Sequence, residues 1–219
     1  MRRATPGGPV QAPPASHAAD PPLSLAQILA AAEAVLRRFG PAKATVVDVA
    51  RALGVSHTAV YRHVASKAEL RDLVLDRWLE ATVLPMRAIA AAEGPAPERL
   101  RRLIDALIAV KRRRAAEDPE LFTAYRTLAA EAQAVVARHL GELVDLTAAV
   151  VRAGMAEGAF RDGDPVAAGR AVLFATSRFH HPAHAAEWQD PTLDAAYQDV
   201  WRMLMDGLAR VPGPAPSGA

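Results

Sequence analysis

From Leu25 onward, apolar residues recur at Leu25, Ile28, Ala32, Val35 and Phe39, the three-to-four spacing that lays one stripe along a helix. Ser24 stands where an N-cap is needed, and Gly40-Pro41 where the helix must stop. Thr45 followed by Asp48 makes a capping-box start for a second, short helix whose stripe is Val46, Val49, Ala50 and Leu53, ended by Gly54. Ser56 caps a third segment, HTAVYRHV. Ser66 and Glu69 form a capping box for a fourth, which carries Leu70, Leu73, Val74, Trp78 and Ala81 until Pro85 kinks or ends it.

Beyond Pro97 the period stays helical. Leu100, Leu103, Ile104, Leu107 and Ile108 form one stripe, Leu121, Tyr125 and Leu128 a second, and Leu140, Leu143, Val144, Thr147 and Val151 a third. GAFRDGDP (158–165) reads as a turn, and helices are expected around 166–179 and 193–208. No two-residue alternation appears. The expected fold is all-α with about nine helices.

Composition narrows this further. The chain has 219 residues, is 51% hydrophobic and 23% charged, and contains no cysteine, so disulfides, thiolate metal sites and cysteine nucleophiles are excluded. No apolar run approaches a membrane span and the start lacks a signal-peptide core, so a soluble cytoplasmic protein is expected, without membrane contact. Residues 1–23 and 211–219 are rich in Pro, Ala and Gly and read as a disordered arm and tail, with Arg2-Arg3 a weak phosphate-contact candidate in an otherwise inert leader. The formal net charge is only +2, but residues 24–72 carry seven bases (Arg37, Arg38, Lys43, Arg51, Arg62, Lys67, Arg71) against four acids (Glu33, Asp48, Glu69, Asp72).

That basic region also carries the one motif with a clear mechanism. Residues 46–64 have the layout of a helix-turn-helix: Ala50 is small where two helices approach, Gly54 supplies the left-handed turn, and Val60 buries the second helix. Val60 and Val64 mark its inward face, so Thr58 and Arg62 lie nearly opposite, with Tyr61 beside them. A mid-helix arginine can take a guanine edge and a threonine methyl can touch thymine, while His57 can reach a base or phosphate. Lys67 opens the fourth helix, where the dipole disfavours a cation, so a compensating phosphate is expected, with a side chain simply bent into water as the alternative. The predicted DNA-binding set is Thr45, Ser56, His57, Thr58, Tyr61, Arg62, His63 and Lys67.

The segment 28–70, with Gly54-Val55-Ser56, Tyr61-x-His63-Val64 and Ser66-Lys67-x-Glu69-Leu70, resembles the DNA-binding domain of the TetR family of bacterial repressors. It departs from that pattern at Val64, where the family usually has Phe, and near Thr58, where it has Gly or a small residue. The resemblance implies a reader domain at 24–70 and an effector-binding and dimerisation domain at 71–210. It further implies a homodimer on operator double-stranded DNA, released by a small-molecule effector whose identity stays open, with no cofactor. G-x-S-x-G, P-loop, H-E-x-x-H and dinucleotide glycine signatures are all missing, so no enzyme activity is expected.

The second half has weaker signals. Trp78, Phe122, Tyr125, Arg126, Phe174 and Phe179 are candidates to line an effector pocket, with plain core packing as the alternative. His180, His181 and His184 fall within five residues, with Glu187 or Asp190 as a possible fourth donor. Because Pro182 interrupts their helix, the expectation is no metal, with an interfacial or ordinary structural role open. Lys111-Arg112-Arg113-Arg114 reads as a solvated helix end rather than a second DNA contact. The last helix has a broad apolar face; Tyr197, Trp201, Leu204 and Leu208, with Ala168, Ala171 and Ala175 of the preceding helix (beside Ala167), are predicted to form the dimer interface. Packing of that face inside its own subunit is the alternative.

Overall fold

A computed structural model describes residues 22–209. The predicted arm with Arg2 and Arg3 and the predicted tail lie outside the described residues. Among those described the fold is all-α: α1 (Leu25–Lys43), α2 (Val46–Leu53), α3 (His57–Tyr61), α4 (Lys67–Ala91), α5 (Ala96–Glu117), α6 (Pro119–Glu131), α7 (Gln133–Ala156), α8 (Pro165–Ala175), α9 (Ser177–His180), a 3₁₀ helix (Pro182–Glu187) and α10 (Leu193–Leu208).

Local chemistry fixes most of the boundaries. Ser24 and Gln27 close a reciprocal capping box on α1, as Thr45 and Asp48 do on α2. Gly40, at φ 73°, breaks α1 before a last turn through Pro41. Pro85 does not end α4, which runs on to Ala91. The capping box expected at Ser66 is only half formed: Ser66 Oγ accepts from Glu69 N–H at 3.0 Å, but the Glu69 carboxylate reaches back to Ala65 N–H. The helix expected over 166–179 is two pieces. Thr176, at φ −94° and ψ 2°, separates α8 from α9 and returns its hydroxyl to Val172 O at 2.8 Å.

Two apolar cores result. The first joins α1, α2, α3 and the front of α4 to Leu121, Tyr125 and Leu128 of α6. The second joins the back of α4 to α5, α7, α8, α9 and α10. Trp78, mid-way along α4, packs against both. At Gly169 a Cβ would stand 2.8 Å from the backbone N of Ala148, so α7 and α8 touch backbone to backbone within one protomer. The C-terminal end of α10 is fastened to the α7–α8 connection by an Arg161 N–H to Leu208 O bond of 2.9 Å.

Candidate nucleic-acid interface and the helical domain behind it

α2, the turn and α3 form the expected helix-turn-helix. Gly54 takes φ 68° and ψ 24°; its N–H bonds Arg51 O and the Val55 N–H bonds Ala50 O at 3.0 Å, the paired contacts of a Schellman stop. Ser56 then caps α3 by accepting from Ala59 N–H at 3.2 Å. Ala50, Val60 and Val64 are buried, Val64 filling the position where the larger residue was expected.

All eight predicted DNA-contact residues, Thr45, Ser56, His57, Thr58, Tyr61, Arg62, His63 and Lys67, are exposed. His57 and Tyr61 meet edge to face at 6.4 Å. Arg62 is not mid-helix: α3 has five residues, and Arg62 is its C-cap, still in αR geometry. Lys67 opens α4 directly after the Ser66 cap. Three of the seven bases of this region are engaged internally, Arg37 with Asp118, Arg51 with Asp48 and Arg71 with Glu131. Arg38, Lys43, Arg62 and Lys67 make no ion pair among the described residues, and all four are exposed. Exposed cations without an ion pair, two of them (Arg62 and Lys67) within six residues of α3, suit this surface to a polyanion.

Behind the reader, the structure gathers some pocket candidates and scatters others. Trp78 stacks on Tyr125, with centroids 4.5 Å apart, and meets Phe122 edge-on at 6.2 Å; Phe122 in turn meets Trp188, which the sequence did not single out. A cleft of about 310 Å³ runs beside them, lined by Glu33, Arg77, Trp78, Arg114, Asp118 and Phe122 among others. Phe179 is buried elsewhere, 5.1 Å from Tyr197, while Phe174 (58% exposed) and Arg126 lie on the surface, and none of the three lines this cleft.

The basic run is the largest correction. Lys111, expected at a solvated helix end, is 4% exposed. Its Nζ sits 4.9 Å from the Trp78 ring centroid, as does the guanidinium carbon of Arg114. Arg114 donates to Trp78 O at 2.8 Å and Thr82 Oγ1 at 2.7 Å; Arg112 pairs with Asp194 at 2.8 Å; only Arg113 faces solvent as expected. Burial, reinforced by the Arg114 charge, pushes the Lys111 ammonium down to about 7. The register carried the signal: Lys111 follows Leu107 by four and Ile108 by three, on the same stripe.

The histidines do not converge. His180 is buried with Nε2 3.3 Å from Thr176 Oγ1, His181 Nδ1 accepts from Ala183 N–H at 3.2 Å, and His184 bonds Glu187 at 2.9 Å. Among the described residues no group of three or more His, Asp or Glu is placed to share a metal ion.

The dimer prediction is also corrected in part. Tyr197, Trp201 and Leu208 are buried in their own protomer; Tyr197 donates to Asp105 at 2.7 Å, and the Arg101 guanidinium lies over both rings, 4.7 and 5.1 Å from their centroids. Leu204 and Ala168 are half-buried, and Ala167, Ala171 and Ala175 are exposed. The large apolar side chains left outside on these helices are Phe174 and Met203, the latter 75% exposed.

A helix-turn-helix reader packed on a separate helical core defines a DNA-binding transcription regulator. Residues 28–74 match the bacterial regulatory proteins of the tetR family, and residues 96–201 match the tetracyclin repressor-like C-terminal domain; the chain belongs to the TetR family, a family of transcriptional regulators rather than enzymes. Its fold is that of SmeT, the repressor of the Stenotrophomonas maltophilia multidrug efflux pump SmeDEF (TM-score 0.65, 20% identity, 90% of this chain and 98% of that one). It is similar to a TetR transcription regulator from Haloarcula marismortui (TM-score 0.64, 26% identity, 85% and 98%) and to FadR from Bacillus subtilis, solved with stearoyl-CoA (TM-score 0.63, 17% identity, 84% and 100%). No curated protein sequence matches the chain. Among the described residues no helix is long and apolar enough to cross a membrane.

Proposed function

We propose that this regulator is a cytoplasmic homodimer that represses transcription from a palindromic operator and lets go when a small molecule enters its helical domain. The observation that carries the reading is that His57, Thr58, Tyr61 and Arg62 all stand free on the outer edge of α3 while Val60, on its inner edge, is sealed. In this reading Arg62, Thr58 and His57 face base edges, Tyr61 and His63 add hydrogen bonds, and Thr45, Ser56 and Lys67 hold phosphates. The four unpaired cations supply the sequence-independent attraction.

Exposed Phe174, beside Ala171 and Ala175 on α8, and exposed Met203 on α10 support a second copy on these helices. The aromatic cluster around Trp78 and its cleft support a small-molecule site between the two cores, as does the ligand carried by the Bacillus neighbour. Release needs only that the effector favour a dimer whose readers are wrongly spaced; a coupling of about 1–3 kcal/mol changes operator affinity roughly 5- to 150-fold.

Selection of bound fragments from the source genome, followed by footprinting, tests the reading. Two protected half-sites about 34–36 Å apart, or a multiple of that, are expected. Equal binding to all fragments at moderate salt overturns it.

A further inference from the structure

Among the described residues the buried polar or charged side chains, tyrosines aside, are Thr82, Lys111, Thr147, Thr176 and His180. Four of them are satisfied locally: the three threonines return their hydroxyls to carbonyls one turn back, and His180 meets Thr176. Lys111 is different. Among the described residues it makes no hydrogen bond and no ion pair, and its one charged neighbour of consequence, Arg114, is also a cation. The groups that feel its charge from the other elements are His139 on α7, His180 on α9 and His181 just after it. Burial and the Lys111 charge push His139 down to about 3 and His180 down to about 4, so both rings are neutral at pH 7.

A largely buried ammonium with only bases and aromatic rings around it is costly unless an anion completes the set. The surroundings say which kind of anion. Trp78, 4.9 Å away, and Phe122 and Trp188 beyond it form an apolar wall, and the cleft lined by Trp78, Arg114 and Phe122 opens onto two of Lys111's neighbours. One ammonium beside such a wall matches a monoanionic head on an apolar body better than a small multivalent ion.

We propose that Lys111 is the anchor for the carboxylate of an organic-acid effector, whose apolar body lies along the Trp78, Phe122 and Trp188 rings. Arg114 and the neutral rings of His139 and His180 complete the polar side of the site. This inference rests on the reading of the helical domain as a small-molecule site. Because Lys111 touches Trp78, and Trp78 stacks on Tyr125 in the reader's core, charging it also gives a short route to the DNA-binding end.

The test is calorimetric titration of the full-length dimer, without DNA, with 2-naphthoate, decanoate and benzoate, against 2-naphthamide and inorganic phosphate. At least one carboxylate is expected to bind, naphthoate about tenfold or more tighter than the amide of the same body, as for a hydrogen bond to a charged group. Lys111→Met should remove that preference while leaving amide binding and the melting temperature intact or raised. Carboxylate affinity should also weaken as pH rises above about 7, where the anion must draw a proton onto Lys111. No binding by any carboxylate, equal binding of naphthoate and its amide, phosphate as good as the organic acids, or undiminished naphthoate binding by Lys111→Met each overturns the proposal. Operator binding is scored separately: loss of sequence preference by the unliganded protein defeats the regulator reading, and the calorimetric result stands or falls without it.

Discussion

The indole of Trp78 lies against the phenol ring of Tyr125, centroids 4.5 Å apart and planes 20° from parallel. Tyr125 belongs to the core that supports the reader, and Trp78 packs against both cores, so this stack ties α4 to α6 where the two cores meet. A second tie runs alongside: Arg37 of α1 donates to Asp118, the cap of α6, at 2.7 Å. Trp78→Ala should therefore cost about 3 kcal/mol, the low end for deleting a large aromatic, since the ring is only half-buried. It should also blunt the response of operator binding to effector. Urea melts and DNA titrations with and without effector check both; full retention of the response would remove Trp78 from the coupling.

Gly54 holds a left-handed conformation at φ 68°, yet a Cβ there meets nothing within 4 Å. Its requirement is purely backbone, so Gly54→Ala should cost about 1 kcal/mol. Gly141, an exposed interior position of α7 with the same open space, should show the opposite sign: Gly141→Ala should stabilise by about 1 kcal/mol. Chemical denaturation of the pair checks the contrast. Only the Gly54 variant should lose DNA affinity, because the turn aims α3.

In the proposed interface Arg62 reads bases and Lys67 holds a phosphate. Arg62→Ala should relax base preference and cost about 1–3 kcal/mol on the preferred site. Lys67→Ala should weaken all sequences alike and lower the salt slope by roughly one unit. Mobility shifts across a salt series separate the two; identical behaviour would reject the division. Because Arg62 caps α3 rather than standing within it, its side chain must reach back along the helix, and Arg62→Lys should be almost as harmful as Arg62→Ala.

The reader was legible in the sequence because caps and stops are local chemistry. Ser24, Thr45, Gly54 and Ser56 act on backbone groups within a few residues, and each does so as expected. What stayed hidden depends on partners distant in sequence. The break at Thr176 has no proline or glycine to announce it. The apolar face of α10 reads the same whether its own subunit or a second copy covers it, and Arg101, 96 positions before Tyr197, decides the matter for Tyr197 and Trp201. Lys111 lay on the buried stripe of α5, but three arginines after it made the run look like a solvated end.

Trp201 and Tyr197 on α10 are covered by their own protomer, so neither reports on a dimer. Trp201 sits under Arg101 inside its own protomer, so Trp201→Glu should destabilise the chain by about 3–5 kcal/mol through loss of the buried ring, whatever the oligomeric state. Met203, 75% exposed, is the informative position. Met203→Glu should fold with unchanged helicity but appear at half the mass in light scattering, with weak operator binding. A dimer of normal mass would move the interface away from this face.

Burial of Lys111 also predicts how stability varies with pH. Its folded value, about 7, lies below the roughly 10.4 of an unfolded lysine, so between those limits the unfolded chain holds a proton that the folded chain lacks. Stability must then rise with pH through that window, by at most about 1.4 kcal/mol per unit; below it the cost of the buried cation is present in full. His139 and His180 are already neutral there, and the raised Tyr125 and Tyr197 hydroxyls, whose effect begins near pH 10, set the upper limit of a clean measurement. Urea midpoints at pH 7, 8 and 9 should climb for the wild type and stay flat for Lys111→Met, with the variant the more stable at pH 7. Parallel curves would mean that Lys111 is charged and compensated in the folded protein at pH 9, and that its surroundings already contain the countercharge.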